Sequence, residues 1–240
     1  MPDIDLTTFS AALNGSSPLH GYLVTPSGNG PWPGVVMVHE AFGLDEVMRR
    51  QAERIAAAGF LALAVDLYSA GGARKCLVTT LRAMMKGEGT AFADIEASRQ
   101  WLSESPSCTG KIGIVGFCLG GGFALLTVGT GFDAAAANYG QLPKHMDTVF
   151  ANACPVVGSY GARDITLKNA AAKLENALTE AGVIHDVKEY PNAGHAFLND
   201  APTGPRFLRP LLRVAGMKPE PESAKDAWGR IDAFFNEHLR

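Results

Sequence analysis

Short apolar runs alternate along the chain with longer segments in which apolar residues recur at helical spacing. The clearest run is 35–38, where four apolar side chains follow one another without a polar interruption. Uninterrupted strands of this kind are typical of parallel sheets that are covered on both faces. The alternation predicts an α/β fold with a mostly parallel central sheet and helices on both faces. The predicted strands are 20–25, 35–38, 60–65, 112–115, 155–160 and 186–190, while 134–139 fits a strand or the continuation of a helix.

Capping and turn residues mark where helices begin and end between these strands. Asp45 is placed as the N-cap of one helix and Gly59 as its C-terminal stop. The region 69–77 contains Gly71 and Gly72 and is predicted to be a loop at the rim of the sheet. Further helices are predicted over 78–86, 91–104, 119–129, 167–181 and 223–239.

The chain length and the lack of a dividing segment predict one domain. The 240 residues fit within a single α/β domain, and no repeat, low-complexity tract or linker divides residues 1–240. The stretch 201–222 contains five prolines and little periodicity, and we interpret it as a surface insertion. Within it, 207–214 is apolar with spaced arginines. It could cover the mouth of a site, form a subunit contact, or form a helix that packs on the body with its arginines towards solvent.

Composition and charge exclude several classes of protein. Hydrophobic residues make up 47% and charged residues 19%, and the net charge of −3 has no long run of one sign. This pattern predicts neither a nucleic-acid nor a membrane partner. No apolar run approaches the ~20 residues of a spanning helix, and no signal peptide is visible, so we expect a cytoplasmic protein. Four cysteines without metal-binding spacing are expected to be reduced thiols.

The pentapeptide 116–120, of sequence GFCLG, lies between a predicted strand and a predicted helix. In a nucleophile elbow this sharp turn forces the central residue, here Cys118, into a strained conformation, and small residues on either side avoid clashes. The thiol then stands at a helix N-terminus, whose dipole and free N–H groups stabilise a thiolate. The alternative is a buried cysteine in a tightly packed turn, because short glycine patterns recur by chance.

Two further residues favour a catalytic interpretation of Cys118. Asp164 follows the predicted strand 155–160, and His195 follows the predicted strand 186–190. Both positions are carboxyl ends of strands, where open α/β sheets bind their ligands. The order nucleophile, acid, histidine is also that of an α/β-hydrolase triad.

These residue types define a mechanism of acyl transfer. His195 would take the thiol proton and later deliver it to the leaving group, while Asp164 fixes the tautomer of the imidazole. The oxyanion requires two backbone donors, and the N–H groups of Leu119 and Ala41 are the best candidates. A thiolate leaves a tetrahedral intermediate more readily than an amine does. Activated esters, enol esters, lactones or thioesters are therefore expected to react more easily than amides.

The chain resembles the dienelactone hydrolase family over nearly its whole length. The motifs that carry the resemblance lie at 34–44, 66–68, 113–121, 161–164 and 194–197. The resemblance implies a single-domain α/β-hydrolase with a Cys-His-Asp triad, a small-molecule ester or lactone substrate, and no metal or organic cofactor. It also implies a monomer or weak homo-oligomer, and a role for Glu40 in hydrogen-bonding and activating the thiol. A solvated or helix-terminal carboxylate is the alternative for Glu40.

The sequence departs from the family where substrate is bound. Members that cleave dienelactone hold its carboxylate with two arginines, and the corresponding positions here are Ala70 and Asn199. Loss of these charge-assisted contacts removes the expected carboxylate clamp. The remaining candidates for substrate contacts are Tyr68, Arg74, Phe197, Asn199 and Arg206, although an aromatic residue at a strand end is more often core and an arginine more often a surface cation.

Two other functions remain open on the same residues. A thioesterase or acyltransferase would use the same triad. A non-catalytic relative that binds a small ligand would be favoured by loss of a triad member, and here all three are present. Cys76, Cys108 and Cys154 lack the elbow context and are interpreted as structural thiols.

Overall fold

Eight strands join into one sheet in the computed structural model, which describes residues 3–204, 207, 209–214 and 216–240. In chain order they are β1 (Asp3–Asp5), β2 (His20–Val24), β3 (Trp32–Val38), β4 (Leu61–Asp66), β5 (Cys108–Phe117), β6 (Ala134–Asn138), β7 (Val156–Gly161) and β8 (His185–Tyr190). Across the sheet the order is β1-β2-β4-β3-β5-β6-β7-β8. β2 is the only one of the eight strands that runs opposite to the others, so the predicted α/β fold with a mostly parallel sheet is confirmed.

The helices cover both faces of this sheet. Within the described residues they are α1 (Thr7–Ala12), α2 (Glu46–Ala57), α3 (Ala73–Lys86), α4 (Thr90–Glu104), α5 (Leu119–Leu126), α6 (Met146–Phe150), α7 (Ala170–Glu180), α8 (Arg209–Val214) and α9 (Pro221–Leu239). As predicted, Asp45 caps α2, because its carboxylate accepts from the N–H of Met48 at 3.0 Å. Gly59 follows α2 with a φ of 93°, a conformation that favours glycine.

The order of the strands creates a crevice next to β3. After β3 the chain crosses to β4 on one side, and it later returns to β5 on the other side. Open α/β sheets bind ligands at such a switch point, outside the carboxyl ends of the strands. Residues 35–38 of β3 are fully buried, as expected for a strand covered on both faces. The crevice therefore has a rigid floor.

The predicted loop at 69–77 is wrong in its second half, because α3 begins at Ala73. Gly72 has a φ of 73° and ends the loop directly before the helix. Alanine, arginine and lysine then follow, and all three favour helix. The glycine pair marks the end of the loop and not its middle.

Several strand and helix ends also differ from the prediction. β3 begins at Trp32 and includes Pro33, which the sheet accommodates because the pairing with β5 shifts register between Trp32 and Gly34. The segment 134–139 is resolved in favour of strand β6, and α5 ends at Leu126. β1, α1 and α6 were not predicted, because elements of three to six residues are too short to show periodicity. α8 lies within 207–214, where a helix was one of the alternatives.

The stretch 201–222 contains α8 and the start of α9. The described side chains of Phe207 and Leu211 are strongly exposed, at 80% and 67%. Arg206 lies outside the described residues. The function of this stretch, as a cover or a contact, stays a prediction.

No helix in the described part of the chain is long and apolar enough to cross a bilayer. All four cysteines lie within the described ranges, and none of them forms a disulfide there.

Candidate functional site

Cys118 occupies a sharp turn between β5 and α5. Its φ of 53° is in the left-handed region, which strains any residue that has a side chain. A Cβ at Gly116 would overlap the backbone of Gly120, and a Cβ at Gly120 would overlap the carbonyl of Val38. The N–H of Cys118 donates to the carbonyl of Asn138 at 3.0 Å. Tight backbone packing thus holds the thiol at the end of β5, in the geometry of a nucleophile elbow.

His195 and Asp164 lie on the loops that follow β8 and β7. Nδ1 of His195 is 2.5 Å from Oδ2 of Asp164. The other oxygen of Asp164 accepts from the N–H and the hydroxyl of Thr166 at 2.9 and 2.6 Å. The N–H of Arg163 also donates to the carbonyl of Ala193 at 2.9 Å, which ties the two loops together. The carboxylate is therefore held on one side while it orients the imidazole on the other.

The charge states of this pair follow from their contacts. Burial of His195 opposes protonation, but hydrogen bonds with Asp164 and Cys118 outweigh it and raise the pKa of His195 to about 10. Burial of Asp164 favours the neutral acid, yet the hydrogen bond and charge of His195 together with Thr166 lower the pKa of the carboxyl below its usual value. At neutral pH the arrangement holds an imidazolium against a carboxylate.

Glu40 follows β3 and is buried, with 2% of its surface exposed. Its Oε1 accepts from the hydroxyl of Tyr139 at 3.2 Å and from Nδ2 of Asn199 at 3.0 Å. Its Oε2 has no hydrogen-bond partner among the described residues, and no hydrogen bond joins Glu40 to Cys118. Burial raises the pKa of Glu40, although the hydrogen bond from Asn199 and the charge of His195 oppose this.

Two side chains hold the loop around Glu40. Nε2 of His39 accepts from the N–H of Leu67 at 3.1 Å, so Nδ1 carries the hydrogen and donates to the carbonyl of Glu40 at 2.7 Å. Burial lowers the pKa of His39 and keeps the ring neutral. The hydroxyl of Tyr68 donates to the carbonyl of Ala41 at 3.0 Å.

The loop and the elbow together present free backbone donors. Among the described residues, the N–H groups of Ala41 and Leu119 donate no hydrogen bond. Leu119 is the first residue of α5, where N–H groups have no partner within the helix. Both residues line the same cavity as Cys118.

That cavity has a volume of about 140 Å³. Four residues predicted from the sequence line it, namely Ala41, Cys118, Leu119 and His195. Sequence reasoning missed Leu81, Met84, Tyr139, Gln141, Thr166 and Leu167, which complete the wall. Of these, Thr166 had a usable signal, because an aspartate in a turn commonly accepts from the backbone N–H two residues on.

Known proteins resemble this chain in both sequence and fold. The model of the dienelactone hydrolase family matches residues 19–239. A Yersinia pestis protein provisionally named carboxymethylenebutenolidase is 31% identical over an alignment 239 residues long. The alignment covers 92% of this chain and 84% of that protein. The chain belongs to the dienelactone hydrolase family.

Solved structures agree with this assignment. The crystal structure of a provisionally named dienelactone hydrolase from Klebsiella pneumoniae has a TM-score of 0.78 and 26% identity, and 98% of each chain is covered. A dienelactone hydrolase-like promiscuous phosphotriesterase from metagenomic libraries has a TM-score of 0.82. Its identity of 24% over 100% of this chain and 98% of that chain supports the fold alone. The resemblance inferred from the motifs is confirmed, and the chain is a dienelactone hydrolase-like member of a hydrolase family.

The family's substrate-binding positions are occupied differently here. Ala70 is exposed, and Asn199 is buried against Glu40. Phe197 is fully buried, with its ring centroid 5.7 Å from that of Tyr139, so it belongs to the core. Arg74 is exposed in the first turn of α3 and does not line the cavity beside Cys118.

Tyr68 likewise supports the loop and does not line the cavity. In the described part of the chain, no group of three or more His, Cys, Asp or Glu side chains is arranged to hold a metal ion.

Proposed function

We propose that this chain hydrolyses activated carboxylic esters, including enol esters and lactones, with Cys118 as the nucleophile. The observation that carries the proposal is the strained thiol of Cys118 in one cavity with His195, whose Nδ1 is 2.5 Å from Asp164. Backbone strain at an exposed nucleophile is a recurrent feature of active sites. Membership of the dienelactone hydrolase family supports the reaction class.

The first half of the reaction forms an acyl-enzyme. Nε2 of His195 holds the proton that the thiol has released, and the thiolate attacks the ester carbonyl. The N–H groups of Leu119 and Ala41 donate to the oxyanion that develops. The intermediate then breaks its C–O bond, and His195 gives its proton to the departing alkoxide or enolate.

The second half releases the acid. His195 removes a proton from water, which attacks the thioester carbonyl, and the C–S bond breaks to return the thiolate of Cys118. Asp164 stays ionised throughout and stabilises the imidazolium that forms in each half. Its second oxygen is occupied by Thr166, so it cannot rotate away without losing two hydrogen bonds.

The substrate class follows from the leaving groups. Amines are expelled less readily than a thiolate from the tetrahedral intermediate, so amides return to substrate. Aryl and enol oxygens leave as stabilised anions and drive the reaction forward. The cavity of about 140 Å³ at the thiol accommodates the reacting carbonyl with a small group, and anything larger must extend beyond it.

Glu40 is proposed to assist activation of the thiol from the same loop as the oxyanion donor. Its buried carboxyl group has one oxygen without a partner among the described residues, and the charge of His195 acts on it. The electric field at Cys118 differs between neutral and ionised Glu40, so the titration of Glu40 should appear in the pH–rate profile.

The decisive experiment compares wild type with Cys118→Ala and Cys118→Ser on aryl esters, enol lactones, thioesters and a matched anilide. We expect Cys118→Ala to lose at least about 10³-fold in kcat/KM while its Tm stays close to wild type. Cys108→Ala is the matched control and should retain activity. Mass spectrometry should detect an acyl adduct on the peptide containing Cys118. Retained turnover by a folded Cys118→Ala variant, or faster cleavage of the anilide than of the ester, would overturn the proposal.

A further inference from the structure

A second, larger cavity adjoins the one beside Cys118. Its volume is about 730 Å³, against about 140 Å³ at the thiol. The two cavities share Leu81, Met84 and Gln141 in their walls, so they lie side by side. We call the larger part the α3–α6 groove, because α3 and α6 with the segment before it provide most of its lining. A substrate held at Cys118 can therefore extend into this groove.

The walls of the groove are mainly hydrocarbon. Leu81 and Met85 come from α3, and Leu142 comes from the segment between β6 and α6. Met85 is 64% exposed and Leu81 is 36% exposed, and both belong to the same cavity wall. Apolar side chains that are exposed next to one another often mark a binding surface. These surfaces would be covered by an apolar chain that reaches out from the reacting carbonyl.

The same groove carries positive charge and no negative charge. Lys86, at the end of α3, and Lys144, two residues before α6, both line it, and no aspartate or glutamate among the described residues does so. Both lysines are exposed, and neither forms a salt bridge with the described residues. An apolar wall that ends at two unpaired ammonium groups is complementary to a hydrocarbon arm that ends in an anion.

We propose that the α3–α6 groove binds the acyl arm of an ester whose far end carries a carboxylate. The arm would lie along Leu81, Met84 and Met85, and its terminal carboxylate would contact Lys86 and Lys144. This inference rests on the proposed function, because it takes Cys118 as the point where the carbonyl reacts. It names the substrates as half-esters of dicarboxylic acids with an apolar chain between the two ends.

The test measures kcat/KM for 4-nitrophenyl half-esters of succinic, adipic and suberic acid, each beside the uncharged 4-nitrophenyl alkanoate of equal chain length. We expect the ratio of acid to neutral ester to be highest for one of the two longer chains. The double variant Lys86→Gln/Lys144→Gln should lower that ratio by up to about fivefold for each lysine at low ionic strength. Added salt should lower the wild-type ratio in the same direction.

Two control variants distinguish contacts in the groove from general changes in surface charge and surface hydrophobicity. Lys173→Gln/Lys225→Gln removes the same charge from two exposed lysines that do not line the groove, and it should leave the ratio unchanged. Met85→Gln should reduce kcat/KM for both long-chain esters but not for 4-nitrophenyl acetate. Val78→Gln is its control, because Val78 is 51% exposed on the same helix and does not line the groove.

The outcomes distinguish this inference from the function on which it rests. If wild type does not hydrolyse 4-nitrophenyl acetate, the proposed ester hydrolase itself fails. If the acetate is hydrolysed but the acid-to-neutral ratio is equal in wild type and both double-lysine variants, the groove proposal is wrong. A dimer that Met85→Gln dissociates, with unchanged ester selectivity, would assign the groove to a second copy of the chain and also overturn it.

Discussion

Replacing Asp164 by asparagine tests the role of one carboxylate oxygen, the one that faces His195. The substitution keeps an oxygen that can accept both hydrogen bonds from Thr166, so the turn should survive. It replaces Oδ2, which now lies 2.5 Å from Nδ1 of His195, by an amide that donates. The imidazole would then hold its hydrogen on Nε2, the nitrogen that must accept the thiol proton.

The size of the effect follows from the strength of that contact. A hydrogen bond to a charged group contributes about 1.5–3 kcal/mol, which corresponds to about 12- to 160-fold in rate. The wrong tautomer adds to this loss, and in Ser-His-Asp enzymes the same change lowers kcat by about 10⁴. We therefore expect Asp164→Asn to lower kcat/KM by about 10²- to 10⁴-fold. The pKa of His195, now about 10, should also fall, because its burial remains while its acceptor is lost.

The assay is the pH–rate profile of 4-nitrophenyl acetate hydrolysis, with an NMR titration of the His195 ring as a second readout. Asp226→Asn is the matched control, since Asp226 is an aspartate that pairs with Lys188 at 2.8 Å away from the cavity lining. Circular dichroism should show the same fold and a similar Tm for both variants. A loss below about tenfold, with the pKa of His195 unchanged, would refute the assigned role of Asp164.

Three further changes test neighbouring groups. Burial raises the pKa of Glu40, so the folded state disfavours its ionised form and loses stability as pH rises above the ordinary glutamate value. The Tm of Glu40→Gln relative to wild type should therefore increase between about pH 5 and about pH 8, and a constant difference would contradict this. Thr166→Val removes the hydroxyl that donates to the triad carboxylate at 2.6 Å and should lower kcat/KM about three- to tenfold, whereas Thr166→Ser should restore it. Iodoacetamide should label Cys118 before Cys76 and Cys154, because burial raises the pKa of the Cys76 thiol and raises that of Cys154 to about 12. Peptide mass spectrometry measures the three rates, and equal rates would argue against an activated thiol.

The fold was predictable from the sequence because its strongest features are local. A fully apolar run such as 35–38 can be stable only where both faces are covered, and the capping residues Asp45 and Gly59 mark helix ends by their own chemistry. The start of α3 was not predictable in this way. A glycine pair before a helix and a glycine pair within a loop are identical as sequence, and only packing distinguishes them.

The part of the site that lies at strand ends was predictable from the sequence. Cys118, Asp164 and His195 each follow a strand of one parallel sheet, so the topology brings them to the same edge. The contribution of α3 to the cavity was not predictable, since Leu81 and Met84 show only helical spacing. Which face of that helix meets the thiol depends on long-range packing. Asn199 was expected near substrate, and its actual partner, Glu40, lies 159 positions earlier in the chain.

The partner of Asn199 also explains why the charged part of a substrate should bind at a distance from the thiol. At this position the family's pattern has a cation for a substrate carboxylate, whereas here a neutral amide donates to buried Glu40 at 3.0 Å. A carboxylate placed next to Glu40 would meet another carboxyl group where the family's pattern has a cation, so the charge-assisted contact is lost. The lysines that remain near the site, Lys86 and Lys144, lie beyond an apolar wall in the α3–α6 groove. A small carboxylated lactone would not extend along this wall from Cys118, so we expect it to be a poorer substrate than a long-chain half-ester.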